Sequence, residues 1–312
     1  MIEGQEGVSW EDWLALAKAC EAHGVPTLFR SDHYLNLDGD HPERGSLDAW
    51  ATINALAAVT TTLRLGTLVS PATFRHPSEL AKVVATADHV SGGRVELGLG
   101  AGWHEAEHRA FGFPFPPVRE RMDRLAEQLE IVHGTWTEPS FSFSGRFYEL
   151  EALDAQPRPL QAPHPPLLMG GNAGPRSAAL AARWADEYNT PFASPEDVRE
   201  RKAAVDAACE EVGREPIPFS LMTGCLVGLD REELREKAAA LAYAMGEPER
   251  DVDAWLASPP AAWIVGTLDE VTERLLALRD AGLSRVMLQH LLHTDLETVE
   301  LIGRKLAPAV VA

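Results

Sequence analysis

The chain has 312 residues, 45% hydrophobic and 24% charged, enough to bury a sizeable core and too apolar for a disordered tail. Its 47 acidic residues against 28 basic ones give a formal charge of −19, which repels phosphate backbones and anionic lipid surfaces and weighs against nucleic acid or membrane as partners. Three widely spaced cysteines, Cys20, Cys209 and Cys225, form neither a disulfide framework nor a paired metal spacing, and a reducing cytoplasm fits them best. No apolar run reaches the roughly 18–20 residues that span a bilayer, and the opening MIEGQEGVSW lacks the basic and apolar regions of a signal peptide.

In chain order, Ser9 with Asp12 three residues on starts a helix whose apolar positions recur at helical spacing until Gly24. The strand VPTLF follows, then a helix over Leu47–Thr60, the strand LRLGTLV, a helix opened by Pro77 and closed by Gly92-Gly93, and the strand RVELGLG. A helix over Arg119–His133 precedes an aromatic, proline-rich stretch from Thr137 to Pro166 that breaks the rhythm and reads as an inserted excursion on a loop. The rhythm resumes with PPLLMGG, a helix over Pro175–Trp184, a short strand near Asp186–Asn189, a helix over Pro195–Val212, and the strands FSLMTGCLVG and RVMLQH. Helices over Arg231–Met245 and Leu268–Ala281 separate these last strands, and a final helix spans Thr294–Leu306.

Strands alternating with helices imply a parallel sheet with helical crossovers, here an α/β (β/α)8 TIM barrel as a single domain over residues 1–312 with an insertion near 137–166. Seven strands are centred near Leu28, Leu65, Leu97, Leu168, Tyr188, Leu221 and Met287. The eighth falls at the start, where Met1, Ile2 and Glu3 are too few for a normal strand of about five residues, so strand one is expected to be truncated and Met1 to be an internal start codon.

Barrel chemistry gathers at the carboxyl ends of the strands. After the first of the seven come Asp32 and His33, a carboxylate beside an imidazole that can exchange protons near neutral pH, or a surface pair capping a loop. The run Gly98-Leu99-Gly100-Ala101-Gly102-Trp103 lets a flat ring or a phosphate approach the backbone, or is a tight turn; it is not a dinucleotide fingerprint, since Trp103 follows directly. Gly170, Gly171, Asn172, Gly174 and Arg176 lead into a helix start at Pro175, where free amides and a guanidinium suit a phosphate group. His104-Glu105-Ala106-Glu107-His108 matches a zinc-protease helix, but Gly112 and Pro114 end the stretch early and no metal is expected; a solvated helical turn is the simpler reading. Gln289 and His290 end the last strand and could face the mouth.

The segments SDHY, LGTLVSPATFRHP, SGGRVELGLGAGWHEAEHRAFG and PLLMGGNAGPRSAALAARWADEYN, in this order, resemble the bacterial luciferase-like superfamily, and most closely its coenzyme F420-dependent oxidoreductases. The resemblance implies a (β/α)8 barrel, a homodimer, and a flavin or deazaflavin ring across the barrel mouth. It matches His33 to the active-site histidine of deazaflavin-dependent sugar phosphate dehydrogenases, with Asp32 its neighbour. Thr67 and Leu68 fall where the family carries a non-proline cis peptide against the ring. The turn formed by Gly100, Ala101, Gly102 and Trp103 would contact the ring edge, and Gly170 to Ser177 the cofactor phosphate. Those dehydrogenases carry a glutamate just after the glycines that match Gly98, Gly100 and Gly102, where this chain has Trp103, so the sugar activity is not carried over. The function implied is hydride exchange between F420 and a small organic substrate. The alternatives are an FMN-dependent monooxygenase of the alkanesulfonate type, served by a flavin reductase partner, a barrel hydrolase using a metal on His104 and His108, and a non-catalytic flavin binder.

Overall fold

The computed structural model describes residues 1–37, 41 and 43–311. Its strands are β1 (Thr27–Arg30), β2 (Arg64–Thr67), β3 (Ser70–Pro71), β4 (Val95–Gly100), β5 (Phe141–Ser144), β6 (Glu149–Leu153), β7 (Leu167–Gly170), β8 (Glu187–Pro191), β9 (Phe219–Gly228), β10 (Ile264–Thr267) and β11 (Arg285–Gln289). The main sheet is parallel in the order β1-β2-β4-β7-β8-β9. The first half of β9 pairs with β11 and its second half with β10.

The eight-strand ring is completed by two residues. Met1 donates its amino group to Leu288 O at 2.9 Å and accepts from His290 N at 3.0 Å, which ties it to β11. On the other side, Ile2 N donates to Phe29 O at 3.0 Å and Ser31 N to Ile2 O at 3.1 Å, which ties it to β1. The expected short first strand is therefore one parallel bridge at the carboxyl end of its slot. Between β1 and β11 below it lies a cavity of about 590 Å³ lined by apolar side chains such as Leu16, Leu28, Leu275, Val286 and Val310.

Helix ends follow local chemistry. In α1 (Trp10–His23), Ser9 and Asp12 form a reciprocal capping box, and Gly24 closes the helix at φ 76°. In α3 (Pro77–Ser91), proline opens the first turn and Gly92 closes the last at φ 70°. The segment Glu105–Phe111 forms the short helix α4, followed by α5 (Val118–Thr137), α6 (Pro175–Trp184) and α7 (Pro195–Glu211). The sequence does not announce a hairpin, an edge strand and a short helix over Val252–Ala257. The excursion after α5 contains an antiparallel hairpin, β5 with β6, and Ile264–Thr267 extends the sheet beside β9. The excursion's return is anchored by the buried Asp88, whose carboxylate accepts from Leu160 N, Gln161 N and the Gln161 amide.

Alternation along the strands sorts their residues into layers. In β4, Val95, Leu97 and Leu99 join the large core shared with the helices. The other face turns Glu96, Gly98 and Gly100 into the barrel. At the amino ends of the strands, Arg285 bridges Glu96 at 2.8 Å and Glu187 at 2.6 Å, and Arg64 bonds Glu96 at 2.7 Å, so a paired charge cluster plugs the bottom. Above it, Phe29, Leu168 and Met287 come together from non-neighbouring strands to fill the middle. At the top, the connection from β2 to β3 carries a cis peptide between Leu68 and Val69, one bond further along the chain than the Thr67–Leu68 position the resemblance implies. The Val69 side chain fills the space that glycines leave open: a Cβ on Gly100 would sit 2.6 Å from Val69 Cγ2, and one on Gly170 3.1 Å from Val69 Cγ1. The glycines of the β4 and β7 ends thus make room for Val69, and Val69 forms the floor of the barrel mouth.

Gly100→Ala is expected to destabilise the fold by about 1–3 kcal/mol through overpacking against Val69. In a urea-unfolding double-mutant cycle, Val69→Ala should relieve that cost, leaving the double variant more stable than the sum of the single effects by roughly 1 kcal/mol. Strict additivity would show that Val69 does not meet the Gly100 position.

Candidate active site at the barrel mouth

The predicted site residues lie at the carboxyl ends of β1, β2, β4 and β7, four consecutive strands of the sheet, so the mouth gathers them on one face. Thr67 is fully buried and bonds Gly98 O at 3.2 Å, while Leu68 packs with Phe29 and Leu168 beneath Val69. Gly102 lies in the left-handed region at φ 78°, and a Cβ there would meet Thr73 Oγ1 at 2.9 Å. This turn presents Trp103, which is 61% exposed, and tucks Ala101 against the core.

Asp32 and His33 are neighbours in sequence and part ways in space. The Asp32 carboxylate is 1% exposed. It accepts from Ser70 Oγ at 2.6 Å and from both terminal nitrogens of Arg75, at 2.6 and 3.3 Å. Arg75 also bonds Asp48 at 2.6 Å and Tyr34 OH at 3.2 Å, so one guanidinium ties the β1 end to the start of α2 (Ala49–Val59). Burial disfavours the Arg75 charge, but Asp32 and Asp48 more than offset it and keep Arg75 firmly ionised. Asp32 is thereby committed to Arg75 and Ser70, not to fixing the His33 tautomer.

The carboxylate that meets the His33 ring is that of Glu107, a residue of α4. Glu107 Oε1 lies 2.7 Å from His33 Nδ1, and Oε2 accepts Tyr34 N at 3.0 Å. The Glu107 side chain is fully buried and His33 is 13% exposed. Burial works against a charged His33; the bond and charge of Glu107, joined by Glu3 and Asp32, outweigh it and raise its pKa above the usual 6.5. Burial likewise disfavours the Glu107 carboxylate, and His33 with the Tyr34 amide holds its pKa below the ordinary value. The His33 ring stands edge-on to Trp103, with centroids 5.5 Å apart, and to His104 at 5.9 Å.

The zinc-like pentapeptide resolves into separate roles. His108 is fully buried, with Nε2 2.6 Å from Thr73 Oγ1 and Nδ1 2.7 Å from His104 O, so both ring nitrogens are engaged. Among the described residues, no group of three or more His, Cys, Asp or Glu side chains is placed to hold a metal ion. His104, Glu107, His108 and Phe111 share one face at helical spacing, and that pattern is the signal that could have marked Glu107 as inward-facing. Of the β11 end, Gln289 bonds Glu3 Oε1 at 2.5 Å, and His290 gives Nε2 to Asp295 O at 2.9 Å, so both are drawn into packing between strand tips.

At the β7 turn, Gly171 is held against Tyr188, whose hydroxyl accepts Ala173 N at 2.8 Å and meets Ser177 Oγ at 2.6 Å. The left-handed residue of the turn is Ala173, at φ 52°, and not one of the glycines. Asn172 and Gly174 are exposed, and α6 begins with no side-chain cap on its first amides. Arg176 points away from those amides, bonding Asp123 and Arg119 O. The donors left for a phosphate are backbone N–H groups of the α6 first turn, a fit of donor chemistry that requires no help from Arg176.

No helix among the described residues is long and apolar enough to cross a membrane. The family model described as luciferase-like monooxygenase matches residues 2–285. An FMNH2-dependent dimethylsulfone monooxygenase of Pseudomonas putida is 30% identical over 82% of this chain and 77% of its own length. An F420-dependent glucose-6-phosphate dehydrogenase of Nakamurella multipartita is 33% identical over 56% of this chain and 50% of its own. Among solved structures, the monooxygenase RslO1 of Streptomyces bottropensis superposes with a TM-score of 0.81 at 26% identity, covering 96% of this chain and 93% of that one. An F420-dependent secondary alcohol dehydrogenase in complex with an F420-acetone adduct gives 0.80 at 21% identity over 97% and 96%, a likeness of fold. With a parallel barrel closed at Met1 and its strand-end residues gathered at one mouth, the chain belongs to the luciferase-like monooxygenase family.

Proposed function

We propose that the protein exchanges hydride between coenzyme F420 and a small alcohol or carbonyl substrate, with His33 as the proton-exchanging group. The observation that carries this reading is the imidazole of His33, seated at the mouth with Nδ1 engaged by a buried carboxylate and Nε2 without a hydrogen bond to any described residue. Interconverting an alcohol and a carbonyl moves a proton on oxygen together with the hydride on carbon, so the site needs one group that titrates near neutrality beside the substrate oxygen. Val69 and the Gly100–Trp103 turn would border the cofactor ring, and the α6 amides with Gly174 would take its phosphate. When bound, F420 supplies a two-electron hydride acceptor or donor. The chain's own residues orient the substrate oxygen toward Nε2 and hold the proton there.

The relative that uses reduced FMN, at 30% identity, favours a second reading, an FMN-dependent monooxygenase served by a separate flavin reductase. The mouth residues that would hold one ring would hold the other, so direct binding decides between them. In equilibrium titrations with F420 and with FMN, the hydride-transfer reading expects saturable F420 binding at least about ten times tighter than FMN, a difference of about 1.4 kcal/mol. The opposite preference would establish the monooxygenase reading.

His33→Ala, at saturating cofactor and across a panel of small alcohols and ketones, should lower kcat by about 10²- to 10⁴-fold. Turnover equal to wild type would remove His33 from the chemistry. The pH dependence has a definite sign. Alcohol oxidation requires neutral His33, so kcat/KM should rise with pH through a midpoint above 6.5, while carbonyl reduction should fall through the same midpoint. A midpoint below 6.5 would contradict the environment described for the imidazole.

A further inference from the structure

We propose that Glu107 is a positioning residue that works through His33: its carboxylate takes the Nδ1 hydrogen, fixes the ring and leaves Nε2 as the proton-exchanging atom. This rests on the reading of His33 given above and adds a residue to it. Glu107 comes from α4, 74 residues along the chain from His33, and its carboxylate has no exposed surface. Both oxygens are spent on the same stretch of chain, Oε1 on His33 Nδ1 at 2.7 Å and Oε2 on Tyr34 N at 3.0 Å. The second bond holds the carboxylate in place while the first orients the ring. A buried carboxylate on one imidazole nitrogen selects the tautomer with hydrogen on that nitrogen, and it stabilises the cation that forms when the other nitrogen takes a proton.

The proton balance follows from the geometry. In alcohol oxidation the O–H and carbinol C–H bonds break and the C=O bond forms. The hydroxyl proton goes to His33 Nε2, and the hydride leaves to the bound two-electron acceptor. The resulting imidazolium keeps its Nδ1–H on Glu107, which stays ionised and takes no proton. Carbonyl reduction runs the same steps backwards. The charged and titratable groups around the ring are Glu107 and His104 of α4, Asp32 of the β1 end, and Glu3 between β11 and β1. Asp32 is matched by Arg75, and Glu3 is held by the amides of Gln5 and Gln289, which leaves Glu107 as the carboxylate bonded to the ring.

A merely structural Glu107 would clamp the His33–Tyr34 loop without governing the titration of the ring. The discriminating measurement is the His33 titration in 15N-histidine-labelled protein, free of cofactor and substrate, with His33→Gln assigning the signal. In Glu107→Gln the His33 midpoint should fall by about one pH unit or more, the effect of removing one close opposite charge, and Glu107→Asp should recover part of it. A folded Glu107→Gln protein with an unmoved midpoint overturns the proposal, whatever its thermal stability. Should Glu107→Gln fail to fold, the wild type decides: an exchange-protected, far-downfield Nδ1 proton that disappears in His33→Gln supports the pair, and its absence refutes it. The wider reading of His33 fails separately, if His33→Ala turns over like wild type while the midpoint shift is still seen.

Discussion

The constraint on which the mouth depends is steric: the inward faces of β4 and β7 end in glycine, and Val69 occupies the space so released. Strand alternation forces whatever follows Glu96 at two-residue spacing to point into the barrel, and at the top of a small barrel there is room for one side chain, not three. Gly98, Gly100 and Gly170 yield that room to Val69, whose peptide to Leu68 is cis. The result is a smooth apolar floor with polar groups raised around its rim. A planar ring can rest on such a floor, and hydrogen-bonding side chains from the rim can reach its edge or a substrate above it.

The rim is built from acids that the sequence places far apart and the fold brings together. Asp32, Asp48 and Tyr34 converge on Arg75, which buries one cation among two carboxylates and a hydroxyl and locks the loop after β1. Broken on one side, a buried pair of this kind leaves an uncompensated charge, so Arg75 is best understood as the scaffold of the mouth. Glu107 forms the second anchor, and it bonds an imidazole whose Nε2 has no hydrogen bond to any described residue. The two carboxylates of the rim therefore divide the work, one holding the loop and the other governing the ring. Against this polar mouth, the cavity of about 590 Å³ between β1 and β11 is apolar and touches none of Asp32, His33, Gly100, Trp103 or Gly171.

Much of the barrel was readable from local chemistry. The seven strand centres, the Ser9–Asp12 capping box, Pro77 and the closing glycines Gly24 and Gly92 all lie where the residues place them. Ile264–Thr267 escaped because four residues without alternation carry no period to read, and the hairpin in 141–153 because its aromatics resembled a loop covering. At the site, strand-end position was enough to single out His33 and the glycine turns. It could not say that Asp32 turns to Arg75 or that Glu107 turns to His33, since those pairs are 43 and 74 residues apart and only the closed ring sets their directions. The zinc-like spacing of His104 and His108 had the same origin: inward-facing residues of a short helix look like ligands until their partners are known.

By the proposed function, one mouth, floored by Val69 and flanked by His33, Trp103 and the α6 amides, receives the redox ring. The crystal structure of the protein with oxidised F420 tests this most directly. Ordered density is expected for the ring against Val69 and the Gly100–Trp103 turn, with the phosphate on the first turn of α6 and His33 Nε2 facing the space above the ring. Density for the ring in the apolar cavity between β1 and β11, or bound with His33 and Val69 both out of contact, would contradict it.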